Sequence, residues 1–248
     1  MDLPAFFQQN PKTAIAFSGG VDSAYLLYAA KRWGKETCAY FARSAFQPEF
    51  EWEDARRLAE ELEVPLRVIP LDILADEAVV ANGEDRCYHC KKRIFAAIAQ
   101  AAAADGYPVL LDGTNASDDE GDRPGMRALR EMAVRSPLRE CGITKEQVRQ
   151  RSKEAGLFTW NKPAYACLAT RIPTGQPITG EQLAATERAE NYLFSLGFTD
   201  FRVRRLGRNA KLQFRQEQME QVLAHREQIL AALKADYDQV WLDLEARG

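Results

Sequence analysis

At 248 residues the chain is long for one domain of about 150 and sufficient for a large domain joined to a small one. Its hydrophobic fraction of 46% and charged fraction of 28% are those of ordinary globular proteins, which excludes a disordered, collagen-like or coiled-coil chain. With 33 basic and 36 acidic residues the net charge is -3, so no global positive field gathers nucleic acid or an anionic membrane, and any anion site must be local.

Thr13 to Phe17 is a short apolar run, followed by Ser18-Gly19-Gly20 and a helical pattern from Val21 to Trp33: strand, tight turn, helix. Glu36 to Ala42 reads as a second strand, Glu51 to Leu62 as a charged amphipathic helix and Leu66 to Leu71 as a third strand. This alternation is that of βαβ units in a parallel sheet. A helix over Lys91 to Ala104 leads to Val109-Leu110-Leu111-Asp112, a buried strand ending at Gly113. The acidic, turn-rich stretch Asn115 to Pro124 reads as a mobile loop over a site. Thr144 to Ala155 is a helix in which Thr144 and Gln147 have capping-box spacing. Pro163, Pro173 and Pro177, with Gly175 and Gly180, suggest a linker. Beyond it come helix Glu181 to Leu196, strands Phe201 to Leu206 and Lys211 to Phe214, helix Gln218 to Leu233 and strand Gln239 to Leu242, a small α+β module. The expected boundary puts residues 1–172 in a sheet domain and 173–248 in the module.

The most apolar stretch, Ile94 to Ala104, is far short of the roughly 20 residues of a spanning helix, so no membrane partner is expected. Met1-Asp2-Leu3-Pro4 lacks the basic and apolar parts of a secretory signal, and the expected compartment is the reducing cytoplasm. Five cysteines there read as thiol chemistry or metal ligation before disulfides.

Ser18-Gly19-Gly20-Val21-Asp22-Ser23 carries the sharpest chemical signal. Two glycines let backbone approach a ligand, and the following helix points unpaired N–H groups and its positive dipole end into the loop. Such a turn is an anion cradle. Ser18 and Ser23 add hydroxyl donors, while Asp22 could hold a metal ion or cap free amides. The Lys of G-x-x-x-x-G-K-[ST] is missing, so this is not a loop for γ-phosphoryl transfer. The plainer alternative is a serine-capped helix after a glycine turn.

The loop resembles that of the PP-loop pyrophosphatase superfamily, whose members include NAD synthetases, GMP synthetases and tRNA-thiolating enzymes. The resemblance implies an α/β, adenine nucleotide alpha-hydrolase-like parallel sheet domain with a smaller C-terminal α+β domain. It also implies that Ser18 through Ser23 bind the pyrophosphate of ATP, and that attack on the α-phosphate gives an adenylated intermediate and pyrophosphate. Leu111-Asp112-Gly113-Thr114-Asn115 looks like the superfamily's second nucleotide-contacting strand end, which makes Thr114 and Asn115 candidate ATP contacts.

Cys167 lies in Lys162-Pro163-Ala164-Tyr165-Ala166-Cys167-Leu168-Ala169-Thr170-Arg171-Ile172-Pro173. Thiolate is favoured near cations, and Arg171 shares a side with the sulfur if this stretch forms a helical turn; Lys162 supplies further positive potential. By residue type alone Cys167 could equally be a small buried hydrophobe. With the loop at Ser18, this segment makes nearly the whole chain resemble LarE, a family of ATP-dependent sacrificial sulfur transferases that help build the nickel-pincer nucleotide cofactor of lactate racemase. In that family a cysteine at this position gives up its sulfur and is left as dehydroalanine. Other members carry several cysteines there and are thought to bind an iron–sulfur cluster. Cys167 stands alone in the segment, so the sacrificial type is implied, with ATP and Mg²⁺ and without an iron–sulfur cluster.

Cys87-Tyr88-His89-Cys90 is half of a zinc site, and two more ligands would be needed to close it. It reads either as a helix start or as a metal or redox motif; Cys38, on a strand, reads as core. Arg202 and Arg204 alternate with Val203 and share one strand face, where they could clamp phosphate or merely blunt an edge. The LarE resemblance implies that they hold substrate phosphate, with Arg171 nearby and Glu190 as the matching acid on the preceding helix. Arg205, Arg208 and Lys211 extend the positive patch, and His225 reads as exposed and idle.

The implied activity is adenylation of pyridinium-3,5-biscarboxylic acid mononucleotide and transfer of the Cys167 sulfur to make the thiocarboxylate. The implied partner is that small nucleotide, with no nucleic acid, and the resemblance implies a homo-oligomer. Two alternatives stand beside it. A tRNA-thiolating enzyme would use Cys87 or Cys90 with Cys167 as a relay pair; a non-catalytic nucleotide-binding regulator would keep the loop without turnover.

Overall fold

The structure is a computed structural model that describes residues 1–118 and 124–247. Of the turn-rich stretch read as a loop over the site, residues 119–123 lie outside the described residues. In chain order the first elements are α1 (Leu3–Gln9), β1 (Lys12–Ala16), α2 (Val21–Trp33), β2 (Glu36–Arg43), α3 (Glu49–Glu61), β3 (Leu66–Pro70) and α4 (Glu77–Val80). They are followed by α5 (Arg86–Ala104), β4 (Leu110–Leu111), α6 (Pro124–Glu131), α7 (Pro137–Glu140) and α8 (Lys145–Glu154). The C-terminal elements are α9 (Gly180–Ser195), β5 (Arg202–Leu206), β6 (Asn209–Gln213), α10 (Met219–Ala224), α11 (Arg226–Leu233) and β7 (Val240–Leu242).

The chain divides into two compact units. Met1–Ile73 and Asp85–Lys162 form the first, Leu74–Glu84 and Pro163–Gly248 the second. The division thus falls after Lys162, not after residue 172, and residues 163–172 group with the C-terminal elements. Hydrogen bonds explain this: the Asn82 side-chain amide donates to the carbonyls of Pro173 (2.8 Å) and Gln176 (2.9 Å), and Arg202 donates to Ala164 O. The proline- and glycine-rich stretch is therefore a structured part of the second unit, with a 3₁₀ turn over Leu168–Arg171.

In the first unit the strand order is β3-β2-β1-β4, with every pair parallel. Parallel strands are covered on both faces, which is why β1 and β2 are apolar runs rather than alternations of apolar and polar residues. Ile15, Ala39 and Phe41 point into a core shared with α1, α2, α3 and α8. Their neighbours Ala14, Cys38, Tyr40 and Ala42 point into a second core with Ile98 and Ala102 of α5. Burial pushes the Cys38 thiol up from its ordinary value, as suits a core position. β2 and β3 extend the sheet to one side of β1 and β4 to the other, so the chain reverses its direction of growth between β1 and β4. In open α/β sheets ligands bind outside the carboxyl ends of the strands at such a point.

The second unit contains the sheet β5-β6-β7, with β5 and β6 antiparallel and β6 and β7 parallel. Gly207, at φ +60°, makes the β5–β6 turn. Ala185, Ala189 and Leu193 of α9 pack with Val203, Leu212, Phe198 and Phe214. Both α8 and α9 open on a capping box, Thr144 with Gln147 and Thr179 with Gln182. The helix expected over Gln218 to Leu233 is interrupted: His225, at φ -97° and ψ 9°, ends α10 and begins α11. α5 starts at Arg86, five residues before the expected Lys91, which puts Cys87 and Cys90 on its first turns. Among the described residues no helix is long and apolar enough to cross a membrane.

Asn82 is fully buried at φ 55°, a region Asn tolerates and Ala does not. Asn82→Ala should lower the unfolding free energy by about 2 kcal/mol, because buried carbonyls lose their donor. Asn82→Gly, which relieves the backbone term alone, should recover only part of that loss in denaturant melts.

Candidate functional site

β1 runs out at Ala16, and Ser18 to Gly20 carries the chain into α2. Gly19 sits at φ +73°, and a Cβ there would stand 2.9 Å from Glu51 O. Ser18 and Ser23 brace the loop: their hydroxyl oxygens lie 3.1 Å apart, the Ser18 amide donates to Ser23 Oγ, and Ser23 Oγ–H donates to Gly20 O. The buried Ser23 hydroxyl, expected as a ligand donor, thus serves to shape the loop, whereas Ser18 is exposed. Gly20 is the N-cap and offers no side chain, so the first amides of α2 keep no side-chain acceptor. Val21 buries its side chain and can serve a ligand only through its backbone.

The loop opens on a cleft of about 350 Å³. One wall is apolar, made by Phe17, Phe41, Ile94, Phe95 and Ile98; Ser18, Gly20 and Asp22 stand at the loop end with Gly113 and Thr114. Gly113 brings the end of β4 against the start of α2, and a Cβ there would lie 2.8 Å from Ser23 N. Thr114 and Asn115 flank this contact but are both engaged within the protein. Thr114 Oγ1 and Ser136 Oγ donate to the two oxygens of Asp112. Asn115 Nδ2 donates to Asp22 Oδ1 (3.2 Å), and its Oδ1 accepts from the Ser117 amide.

Asp22 spends its other oxygen on the ammonium of Lys145, the first residue of α8. Each oxygen of Asp22 thus already holds one partner within the protein. Among the described residues no group of three or more His, Cys, Asp or Glu is placed to hold a metal ion. Magnesium commonly binds through one or two carboxylates plus substrate phosphates, so Asp22 fits the ion only in company with a phosphate ligand. Lys162, read from the sequence as potential beside Cys167, pairs with Asp54 at 2.7 Å and donates to Gly19 O at 3.4 Å. Lys145 and Lys162 thus bring two cations to the loop across 123 and 143 residues of chain. No local pattern signals such pairings.

In the second unit Cys167 is half-buried and precedes the 3₁₀ turn that carries Arg171. The Arg171 guanidinium is wholly buried and grips Glu190 twice, Nε to Oε1 at 2.7 Å and Nη2 to Oε2 at 3.1 Å. Its Nη1 donates to Ala166 O and to Thr170 Oγ1, and that hydroxyl donates to Cys167 O. Glu190 also accepts from the Tyr165 hydroxyl and the Val203 amide. Arg171 and Glu190 therefore hold the Cys167 segment to α9 and β5 and do not offer themselves to a phosphate. Burial works against the Arg171 charge, but Glu190 more than offsets it; the charges of Tyr165 and Cys167 act in the same sense, so the guanidinium lies above its ordinary value.

Arg202 and Arg204 differ. Arg202 donates to Phe201 O and Ala164 O, and Arg204 to Thr170 O and Gln213 Oε1, so carbonyl oxygens take these bonds, while the Asp200 carboxylate stands 3.8 Å from Arg202 Nη1. Burial, then the charges of Arg171 and Arg247, lowers Arg202 to about 10 and lowers Arg204 in the same direction. An anion here would offset charge that Glu190 and Asp200 leave uncompensated. Arg205, Arg208 and Lys211 do not extend this patch: Arg205 stacks over Tyr237, Arg208 pairs with Asp238, and Lys211 with Asp243.

A parallel sheet whose first strand ends in Ser-Gly-Gly-Val-Asp-Ser at a cleft beside the strand-order reversal defines a PP-loop protein. No family model matches the chain. It is similar to an uncharacterized protein of Synechocystis sp., 38% identical over 89% of this chain and 82% of that one. It is also 36% identical to the pyridinium-3,5-bisthiocarboxylic acid mononucleotide synthase of Lactiplantibacillus plantarum, over 82% of this chain and 74% of the synthase. A more distant likeness, 28% over 60% of this chain and 51% of the relative, is to a tRNA-specific 2-thiouridylase of Clostridium botulinum. The chain belongs to the family of the mononucleotide synthase, LarE. The named relatives are enzymes whose products carry sulfur.

Gly113→Ala should cost about 1–3 kcal/mol of stability in denaturant melts, because its methyl group pushes the β4 end off the α2 start. Glu190→Gln leaves a buried guanidinium without its carboxylate, and chemical denaturation should record a loss of about 3–5 kcal/mol.

Proposed function

We propose that the protein is an ATP-dependent sulfur transferase that adenylates pyridinium-3,5-biscarboxylic acid mononucleotide and converts its carboxylate to thiocarboxylate with the sulfur of Cys167. The observation that carries this reading is the phosphate cradle opening onto a cleft with an apolar wall, a shape suited to a planar base at one end and phosphates at the other. Similarity to the mononucleotide synthase supplies the acid and the sulfur. In this reading the amides of Gly19 to Ser23 and the exposed Ser18 hydroxyl bind the pyrophosphate portion of ATP. Asn115 and Thr114 hold Asp22 and the β4 end in register around it. Asp22, together with the phosphates, would hold magnesium, which would supply charge neutralisation during the attack.

A substrate carboxylate oxygen attacks the α-phosphorus and pyrophosphate leaves. The carboxylate, a poor electrophile, becomes a mixed anhydride whose leaving group is AMP. Cys167 Sγ as thiolate attacks the carbonyl carbon and AMP departs, leaving a thioester. Removal of the Cys167 Cα proton then breaks the Cβ–Sγ bond, so the electron pair leaves with sulfur as the thiocarboxylate and the chain retains dehydroalanine. Arg171 acts here as a positioning residue through Thr170 and the Cys167 carbonyl. Arg202 and Arg204 take the substrate phosphate. A chain spent in this way acts once, so two sulfurs consume two chains. On this reading the protein acts in biosynthesis of the nickel-pincer nucleotide cofactor, as a cytoplasmic homo-oligomer. A single thiol in the Cys167 segment, with no neighbouring cysteine, supports sacrifice over an iron–sulfur route. The acidic net charge disfavours tRNA as substrate.

Incubation with ATP, Mg²⁺ and the biscarboxylate nucleotide should remove the elements of H₂S from the Cys167 peptide in mass spectrometry. Cys167→Ala should keep acid-dependent pyrophosphate release and form no thiocarboxylate. Product formed beside an unchanged Cys167 peptide would exclude sacrifice.

A further inference from the structure

The mechanism above leaves Cys87 and Cys90 unused, yet both sit at the start of the helix that walls the cleft. They are three residues apart on α5, so both thiols lie on one side of its first turns. Cys87 is exposed, and Arg86 Nη2 donates to its sulfur at 3.6 Å, placing a cationic donor beside the atom that carries negative charge during thiol exchange. Lys91, the next residue after Cys90, lines the cleft, as do Ile94, Phe95 and Ile98 further along the same helix. The turn is also anchored sideways: the Tyr88 hydroxyl donates to Glu131 of α6 at 2.7 Å, and Arg127 stacks over the Tyr88 ring.

We propose that Cys87 and Cys90 are a reversible dithiol–disulfide site whose closure tightens the first turn of α5 and alters the cleft through Lys91. Helical neighbours three apart hold their Cβ atoms about 5–6 Å apart, whereas a disulfide needs about 3.5–4.5 Å. The bond therefore forms only if the turn contracts, and contraction moves both Tyr88, held by α6, and Lys91, facing the cleft. The oxidant is a small-molecule disulfide. Cys87 thiolate attacks one of its sulfurs and expels a thiolate, giving a mixed disulfide. Cys90 thiolate then attacks Cys87 Sγ and expels the second thiolate, so two protein thiols and one small disulfide become one protein disulfide and two small thiols.

The coupling to the cleft rests on the nucleotide reading of the previous section; the disulfide itself does not. Trypsin cleaves after Arg86 and Lys91, so one peptide, Cys87 to Lys91, carries both sulfurs. After equilibration with oxidised glutathione this peptide should be two hydrogens lighter, and dithiothreitol should restore it. Cys87→Ser and Cys90→Ser should each abolish the change. Oxidised wild-type protein should bind ATP several-fold more weakly than reduced protein, and Cys87→Ser should bind alike in both conditions. A peptide that stays as two thiols, or carries only glutathione adducts, overturns the site. A mapped disulfide with unchanged ATP affinity overturns the coupling. ATP binding absent from the reduced protein as well refutes the nucleotide reading, and the peptide mass still decides the dithiol site.

Discussion

A methyl group at Gly113 would lie 2.8 Å from the amide nitrogen of Ser23, nearer than carbon and nitrogen can stand without displacement. That close approach fixes the end of β4 against the beginning of α2. Gly19 makes a second approach of this kind against Glu51 O. Between the two, the loop is held by its neighbours' backbones, and the buried Ser23 hydroxyl braces it from within. Its amides and the exposed Ser18 hydroxyl are therefore what it has to offer a ligand. The sheet order puts this arrangement where the strands diverge, so the cleft follows from topology and the cradle from missing side chains.

The second unit handles charge by other means. Arg171 is neutralised by Glu190 and uses its remaining donors on the backbone around Cys167. Arg202 and Arg204 bond chiefly to carbonyl oxygens, which accept N–H donors without cancelling their charge. Backbone dipoles in one unit and guanidiniums in the other are two ways of meeting an anion. The first works through a helix start, the second through charge that the folded chain holds in excess.

Much of this was legible in the sequence. The apolar runs of β1 and β2, the glycine turn and the Thr144–Gln147 capping box are local signals, and each forms the element its residues predict. Elements that depend on distant partners were not. α1, capped by Asp2, is held by burying Leu3, Phe6 and Phe7 in the first unit's core, and its short apolar stretch shows no period long enough to read. The break at His225 lies inside a continuous helical pattern. Lys145 and Ser136 reach the loop region by long-range contacts that leave no trace in spacing. The role of Glu190 was legible as a place and not as an action: matching a phosphate-site acid located it, while its bonds to Arg171, Tyr165 and Val203 make it a clasp.

The second unit is assembled from two stretches of chain separated by the whole of α5 through Lys162. On a ribosome its early stretch, with Asn82, emerges long before the carbonyls of Pro173 and Gln176 that Asn82 binds. The parallel sheet can therefore complete itself before residues 74–84 meet their later-made partners in the second unit, which closes last. Cutting the gene at residue 162 would strand that early stretch, so the two halves are separable in space but not in the reading frame.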